Sequence, residues 1–144
     1  MMKFGKKVYL FVLAIAVLLS IGTITAFANN YSDTNFSFTF APQSSAPVYT
    51  QARAKTDHSS SYMKLKSLSR SDGAYYASVV RKDHTNFSKT WTYRFDRTDL
   101  NVGRYLLNYA YEDDGETFVR IKATRAVSPN IGFTASGVWS PDSI

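Results

Sequence analysis

Beyond Asn29, polar and apolar residues alternate along most of the chain. Phe36, Phe38 and Phe40 take turns with Ser37 and Thr39. Successive side chains of a strand point to opposite faces, so this spacing predicts a half-buried strand. Pro42 and Pro47 bracket a turn. In PVYTQARAK the small or aliphatic Val48, Ala52 and Ala54 alternate with the longer Tyr49, Gln51 and Arg53. SYMKLKSL sends Met63 and Leu65 inward and Lys64 and Lys66 outward. AYYASVV puts Tyr75, Ala77 and Val79 on one face, and KDHTNFSK is a polar connection. TWTYRFD aligns Trp91, Tyr93 and Phe95. Tyr105, Leu107 and Tyr109 alternate after Gly103. The Asp114-Gly115 pair predicts a tight hairpin turn. TFVRIKA then sends Val119, Ile121 and Ala123 inward and Arg120 and Lys122 outward. IGFTASGVW closes the pattern with Phe133, Ala135 and Trp139 on one face.

The pattern predicts about eight short strands, separated by turn clusters at near-regular spacing. That is the signature of an all-β protein, here a single antiparallel β-sandwich. Trp91, Phe95, Tyr105 and Trp139 are expected in its core. Several strands keep one face polar, which favours a sandwich over a closed barrel. No apolar period of 3.6 residues is sustained in this region.

The first 28 residues follow another rule. Lys3, Lys6 and Lys7 precede an unbroken apolar run, Val8–Leu19, and Ala26-Phe27-Ala28 follows. A basic start, a short apolar centre and an A-x-A exit make a secretory signal peptide, expected as a helix and cut between Ala28 and Asn29. Counted generously, the apolar run is about 17 residues, the low edge of a bilayer span. The expected domains are therefore a leader over 1–28 and a secreted sandwich over 29–144.

The leader changes the meaning of the charge. It holds three of the 17 Lys and Arg and none of the 11 Asp and Glu, so the net charge falls from +6 to +3. That is too mild to point to nucleic acid. No second apolar run of membrane length follows, so no membrane segment is expected after cleavage. There is no cysteine. Neither a disulfide nor a lipidated N-terminal cysteine is available, and packing must hold the fold.

Catalytic and metal chemistry find little support. His58 and His84 lie in polar connections without metal-ligand spacing. No G-x-S-x-G elbow occurs. Glu112, Asp113, Asp114 and Glu116 crowd one turn, and Asp96, Asp99 and Asn101 another. Calcium takes about 6–8 oxygens from a shaped loop, and the D-x-[DN]-x-[DN]-G spacing is missing. No enzyme, metal or cofactor is expected. The stretch Leu100-Asn101-Val102-Gly103-Arg104-Tyr105 is similar to the L-x-x-G-x-Y corner of extracellular sandwiches, where the glycine turns the chain and the tyrosine hydroxyl ties it to backbone. The cations form the one candidate site. Lys64, Lys66, Arg120 and Lys122 project outward from two strands, with Arg53 and Arg94 in reserve and Tyr49, Tyr62 and Phe118 nearby. Were the strands adjacent, the four would make a patch for an anionic ligand of the cell envelope. The competing reading is a solvated face whose lysines discourage edge pairing.

The opening strand NFSFTF, the late GETFVRIKA and the closing SGVW resemble a family of small secreted Gram-positive bacterial proteins of unknown function. A looser likeness in the final third is to cysteine-free bacteriocins of the lactococcin 972 type. The resemblance implies a secreted accessory or bacteriocin-like role and carries no catalytic residue. The expected function is a secreted, non-catalytic binding protein acting at the cell envelope. The alternatives are a passive matrix component and, with least support, a cell-wall hydrolase. Neither the partner nor the oligomeric state is written in the sequence.

Overall fold

A computed structural model describes residues 29–144. The expected leader and its expected cut after Ala28 fall on residues outside those described. Nine strands follow in order: β1 (Thr34–Phe40), β2 (Val48–Tyr49), β3 (Arg53–Lys55), β4 (Ser61–Leu68), β5 (Tyr75–Arg81), β6 (Tyr93–Phe95), β7 (Gly103–Leu106), β8 (Thr117–Arg125) and β9 (Phe133–Ser140). A 3-10 turn, Arg97–Asp99, precedes β7, and a short helix, α1 (Ala110–Asp114), precedes β8. No helix among the described residues is long and apolar enough to cross a membrane.

The strands form two antiparallel sheets. One has the order β1-β9-β4-β7. The other runs β2-β8-β5-β6, with β3 following β2 along the same edge of β8. The predicted alternation builds the core between them. Phe36, Phe38, Phe40, Met63, Leu65, Leu106, Phe133, Ala135 and Trp139 come from the first sheet. Tyr75, Ala77, Val79, Phe95, Val119, Ile121 and Ala123 come from the second. Tyr75 lies against Phe95 with centroids 5.3 Å apart and against Phe40 at 5.7 Å. Its hydroxyl is buried without a partner. Gly137 lets β9 pass β4: a methyl group there would lie 2.0 Å from the Lys64 carbonyl oxygen.

Four expectations change. First, PVYTQARAK is two strands, not one alternating run. Four residues of β8, Lys122 to Val119, face five of its partner, Tyr49 to Arg53. This extra residue is a bulge, and a shift of one residue exchanges the faces. Thr50 occupies the break; its amide donates to the Ile121 carbonyl and its hydroxyl accepts from the Ile121 amide. Arg53 and Lys55, rather than Ala52 and Ala54, therefore point inward.

Second, Tyr105 is 60% exposed and Leu106 is the buried residue of β7. Asn101 rather than Gly103 adopts the left-handed backbone, with φ 62°. Tyr93 ties this corner instead, its hydroxyl accepting from the Leu107 amide at 3.0 Å. Third, Trp91 lies outside β6, half-buried beside Tyr109. Phe95 and Trp139 are buried as expected. Fourth, α1 replaces the tight hairpin. Gly115, at φ 68° and ψ −144°, ends the helix in a conformation that suits glycine.

Candidate functional site

The sandwich divides the four predicted cations into two pairs. Lys64 and Lys66 belong to β4, on the outer surface of the four-stranded sheet. Arg120 and Lys122 belong to β8, on the outer surface of the five-stranded sheet. The core separates these surfaces, which face opposite ways. Period-two alternation correctly turns each pair away from the apolar interior but cannot tell which sheet a strand joins. The two pairs do not share a patch.

Arg120 and Lys122 acquire different neighbours. Across the sheet Arg120 is in register with Val80, and Lys122 with Ser78 and Tyr49. Tyr49 stacks on His84, with ring centroids 3.8 Å apart. Beside Arg120 lies an open groove of about 480 Å³, lined by Arg81, Lys82, Asp83, Thr117, Phe118 and Arg120. Phe118 is 46% exposed, and the Lys82 ammonium stands 5.6 Å from its ring centroid.

The charges here are not equally available. Arg81 is held by Asp114 and Asp113, at 2.6 and 3.6 Å. The Asp83 carboxylate accepts from the Thr85 hydroxyl and amide, and these bonds hold its pKa below the usual range. Lys82, Arg120 and Lys122 make no ion pair among the described residues. One Arg120 nitrogen donates to the Thr50 carbonyl at 3.4 Å, while its Nε is buried without a partner. Lys82 and Arg120 flank the exposed Phe118 ring, while Lys122 lies further along β8 in a separate hollow with Tyr76 and Ser78. The groove suits an anion with an apolar part.

The other candidates are engaged elsewhere. Arg53 reaches over the sandwich edge to Thr34, Asn30 and the Trp139 carbonyl. Arg94 pairs with Asp96. In the acidic turn, Asp113 accepts from the Ser88 amide and hydroxyl, which hold its pKa low. Asp114 binds Arg81, and Glu112 lies 3.2 Å from His58. These acids tie α1 to the end of β5 and to the neighbouring connections.

One polar cluster escaped the sequence reading. Lys55 and Asp142 are both buried, at 1% and 0% exposure, and meet at 2.9 Å. Lys55 also donates to the Pro141 carbonyl. Asp142 accepts from the Thr56 hydroxyl at 2.6 Å and the Asn30 amide at 2.9 Å. Burial alone would raise the pKa of Asp142. The donors Thr56, Asn30 and Lys55, with the lysine charge, outweigh burial and hold it below the usual carboxylate range. The cluster joins the segment before β1, the end of β3 and the segment after β9. Its arrangement is that of a structural latch.

No curated protein and no solved structure matches the chain. One protein family does, over residues 24–143, and its description is protein of unknown function, DUF2712. The match carries neither a bacteriocin likeness nor a Gram-positive origin. It spans both sheets, the basic groove and the Lys55–Asp142 latch, and the chain belongs to this family of unknown function.

Proposed function

We propose that this is an exported, non-catalytic protein that binds an anionic component of the cell envelope on the outer face of its five-stranded sheet. One observation carries the reading: Lys82 and Arg120 line a groove beside the exposed ring of Phe118 and make no ion pair among the described residues. The Phe118 ring adds an apolar surface among these cations. The Lys-rich start and the A-x-A exit support export.

The test is sedimentation of the 29–144 domain with purified cell walls and with anionic vesicles. Binding should weaken as salt rises, because exposed charges are screened within about 10 Å at 0.1 M ionic strength. Lys82→Glu with Arg120→Glu should abolish it. Lys64→Glu with Lys66→Glu, on the opposite face, should leave it largely intact. Equal loss from both pairs would reduce the effect to net charge. Absence of wild-type binding, or binding insensitive to the first pair, would overturn the reading.

A further inference from the structure

The other outer face holds an aromatic cleft that the basic groove does not involve. It occupies about 390 Å³ and is lined by Tyr31, Asp33, Tyr62, Tyr105, Ser140 and the chain beyond it. Its position follows from the sheet order. Tyr62 of β4 is in register with Ser140 of β9 on one side and with Tyr105 of β7 on the other. Tyr31 and Asp33 lie in the segment leading into β1, at the far side of β9.

The cleft depends on two features already met. Gly103 makes room for Tyr62: a methyl group on it would lie 2.6 Å from the Tyr62 hydroxyl and 2.7 Å from a ring carbon. Tyr105 is on the outward phase of β7, which takes it out of the core. The Tyr62 and Tyr105 rings are 5.7 Å apart and inclined by 58°, so they form a notch rather than a flat platform. Tyr31 and Tyr105 are 51% and 60% exposed, an unusual outlay of aromatic surface near a single acid.

That acid is uncommitted. Asp33 makes no hydrogen bond or ion pair among the described residues. Its charge nevertheless reaches the cleft: burial, then Asp33, then Tyr105 raise the Tyr62 pKa and keep the phenol neutral. Arg53 also lies within the field of Asp33. Its guanidinium is taken up by Asn30, Thr34 and the Trp139 carbonyl. Inclined π faces beside a free carboxylate complement a cation. An alkylated ammonium fits better than a bare one. Its charge is spread over methyl groups that need no hydrogen bonds, and aromatic cages recognise such groups. A sugar ring would be better served by a flat aromatic surface. The volume lies within the range of small-ligand sites, about 300–1,000 Å³.

We propose that Tyr31, Tyr62, Tyr105 and Asp33 form a binding site for a quaternary ammonium group. The site and the basic groove lie on opposite faces, so either can stand without the other.

The test is titration of the 29–144 domain with tetramethylammonium and choline, followed by the NMR signals of the tyrosine rings. Saturable shifts confined to Tyr31, Tyr62 and Tyr105 are expected. The neutral isostere 3,3-dimethylbutanol should bind at least about tenfold more weakly, since it lacks the charge that the rings and Asp33 attract. Tyr105→Ala and Asp33→Asn should each weaken choline binding while the domain keeps its wild-type fold by circular dichroism. Phosphocholine and phosphatidylcholine vesicles then separate a soluble source of the group from a membrane one. No saturable shift with either cation, or equal binding of the neutral isostere, would overturn the proposal. Wild-type affinity in Tyr105→Ala would do the same.

Discussion

Replacing Asp142 by Asn tests whether the Lys55–Asp142 cluster holds the sandwich closed. The substitution keeps the side chain's size and removes its charge. Lys55, 1% exposed, would be left with the Pro141 carbonyl at 3.0 Å and Asp57 at 3.7 Å, and the Asp57 side chain is itself 36% exposed. The Thr56 hydroxyl and the Asn30 amide would lose an ionised acceptor. Breaking a buried pair by removing one partner typically costs about 3–5 kcal/mol, because the other charge stays buried. A domain of this size has about 5–15 kcal/mol in reserve. At about 4 °C per kcal/mol, the expected loss is about 12–20 °C in Tm. Urea unfolding at pH 7 supplies the free energy. The double variant Lys55→Met with Asp142→Leu should lose much less than the two single changes together, since neither charge is then left behind. Acid gives a second readout. Asp142 has a folded pKa below its unfolded value of about 3.9. Its contribution is therefore present above about pH 4 and lost as pH falls through the folded pKa. The double variant should be less acid-sensitive than wild type. An unchanged urea midpoint for Asp142→Asn, or strictly additive losses in the double variant, would refute the argument.

N-terminal sequencing of exported protein should begin at Asn29, and recovery of only the full-length chain in membranes would contradict the cut after Ala28. Gly137→Ala should disrupt the pairing of β9 with β4, because its methyl group would meet the Lys64 carbonyl at 2.0 Å; loss of amide-exchange protection in both strands would report it. Tyr75→Phe removes a buried hydroxyl that has no partner, and should raise the urea midpoint, since such a group costs about 1–3 kcal/mol. Tyr105→Ala should leave stability within about 0.5 kcal/mol of wild type, whereas Trp139→Ala should cost about 3–5 kcal/mol; similar midpoints for the two variants would show that the assignment of faces is wrong.

The strands were legible where one face is plainly apolar. Phe36, Phe38 and Phe40, then Met63 and Leu65, then Val119, Ile121 and Ala123, all lie where alternation places them. It misled in β7 because tyrosine has an apolar body and a polar tip. Tyr105 and Leu107 looked like an inner face, while Leu106, Asn108 and Ala110 were the buried set. The bulge near Thr50 was hidden because nothing in PVYTQARAK signals an extra residue. Asp114-Gly115 is a sound turn signal, here used to end α1 rather than to join two strands. The cations were assigned to the correct side of each strand, yet their grouping depended on strand order, a long-range property. The Lys55–Asp142 pair was the least accessible of all. Its partners are far apart in sequence, and one becomes inward-facing only through the bulge.

The place of β1 also governs when the sandwich can close. Among the strands, β1 hydrogen-bonds to β9 alone, so the first strand of the domain to be synthesised pairs with the last. Phe36, Phe38 and Phe40 have no sheet to join until Phe133–Ser140 is available. Pairings this distant slow folding, because the intervening chain must be ordered before the contact forms. Under the export proposed above, the order has a use: β1 cannot complete its sheet before Phe133–Ser140 has crossed. The interval has a hazard, since an aromatic-rich strand then waits in the open. Closure of this sheet is thus timed by the arrival of β9, and a chain stalled before Phe133 would present Phe36, Phe38 and Phe40 to proteases and to other copies of itself.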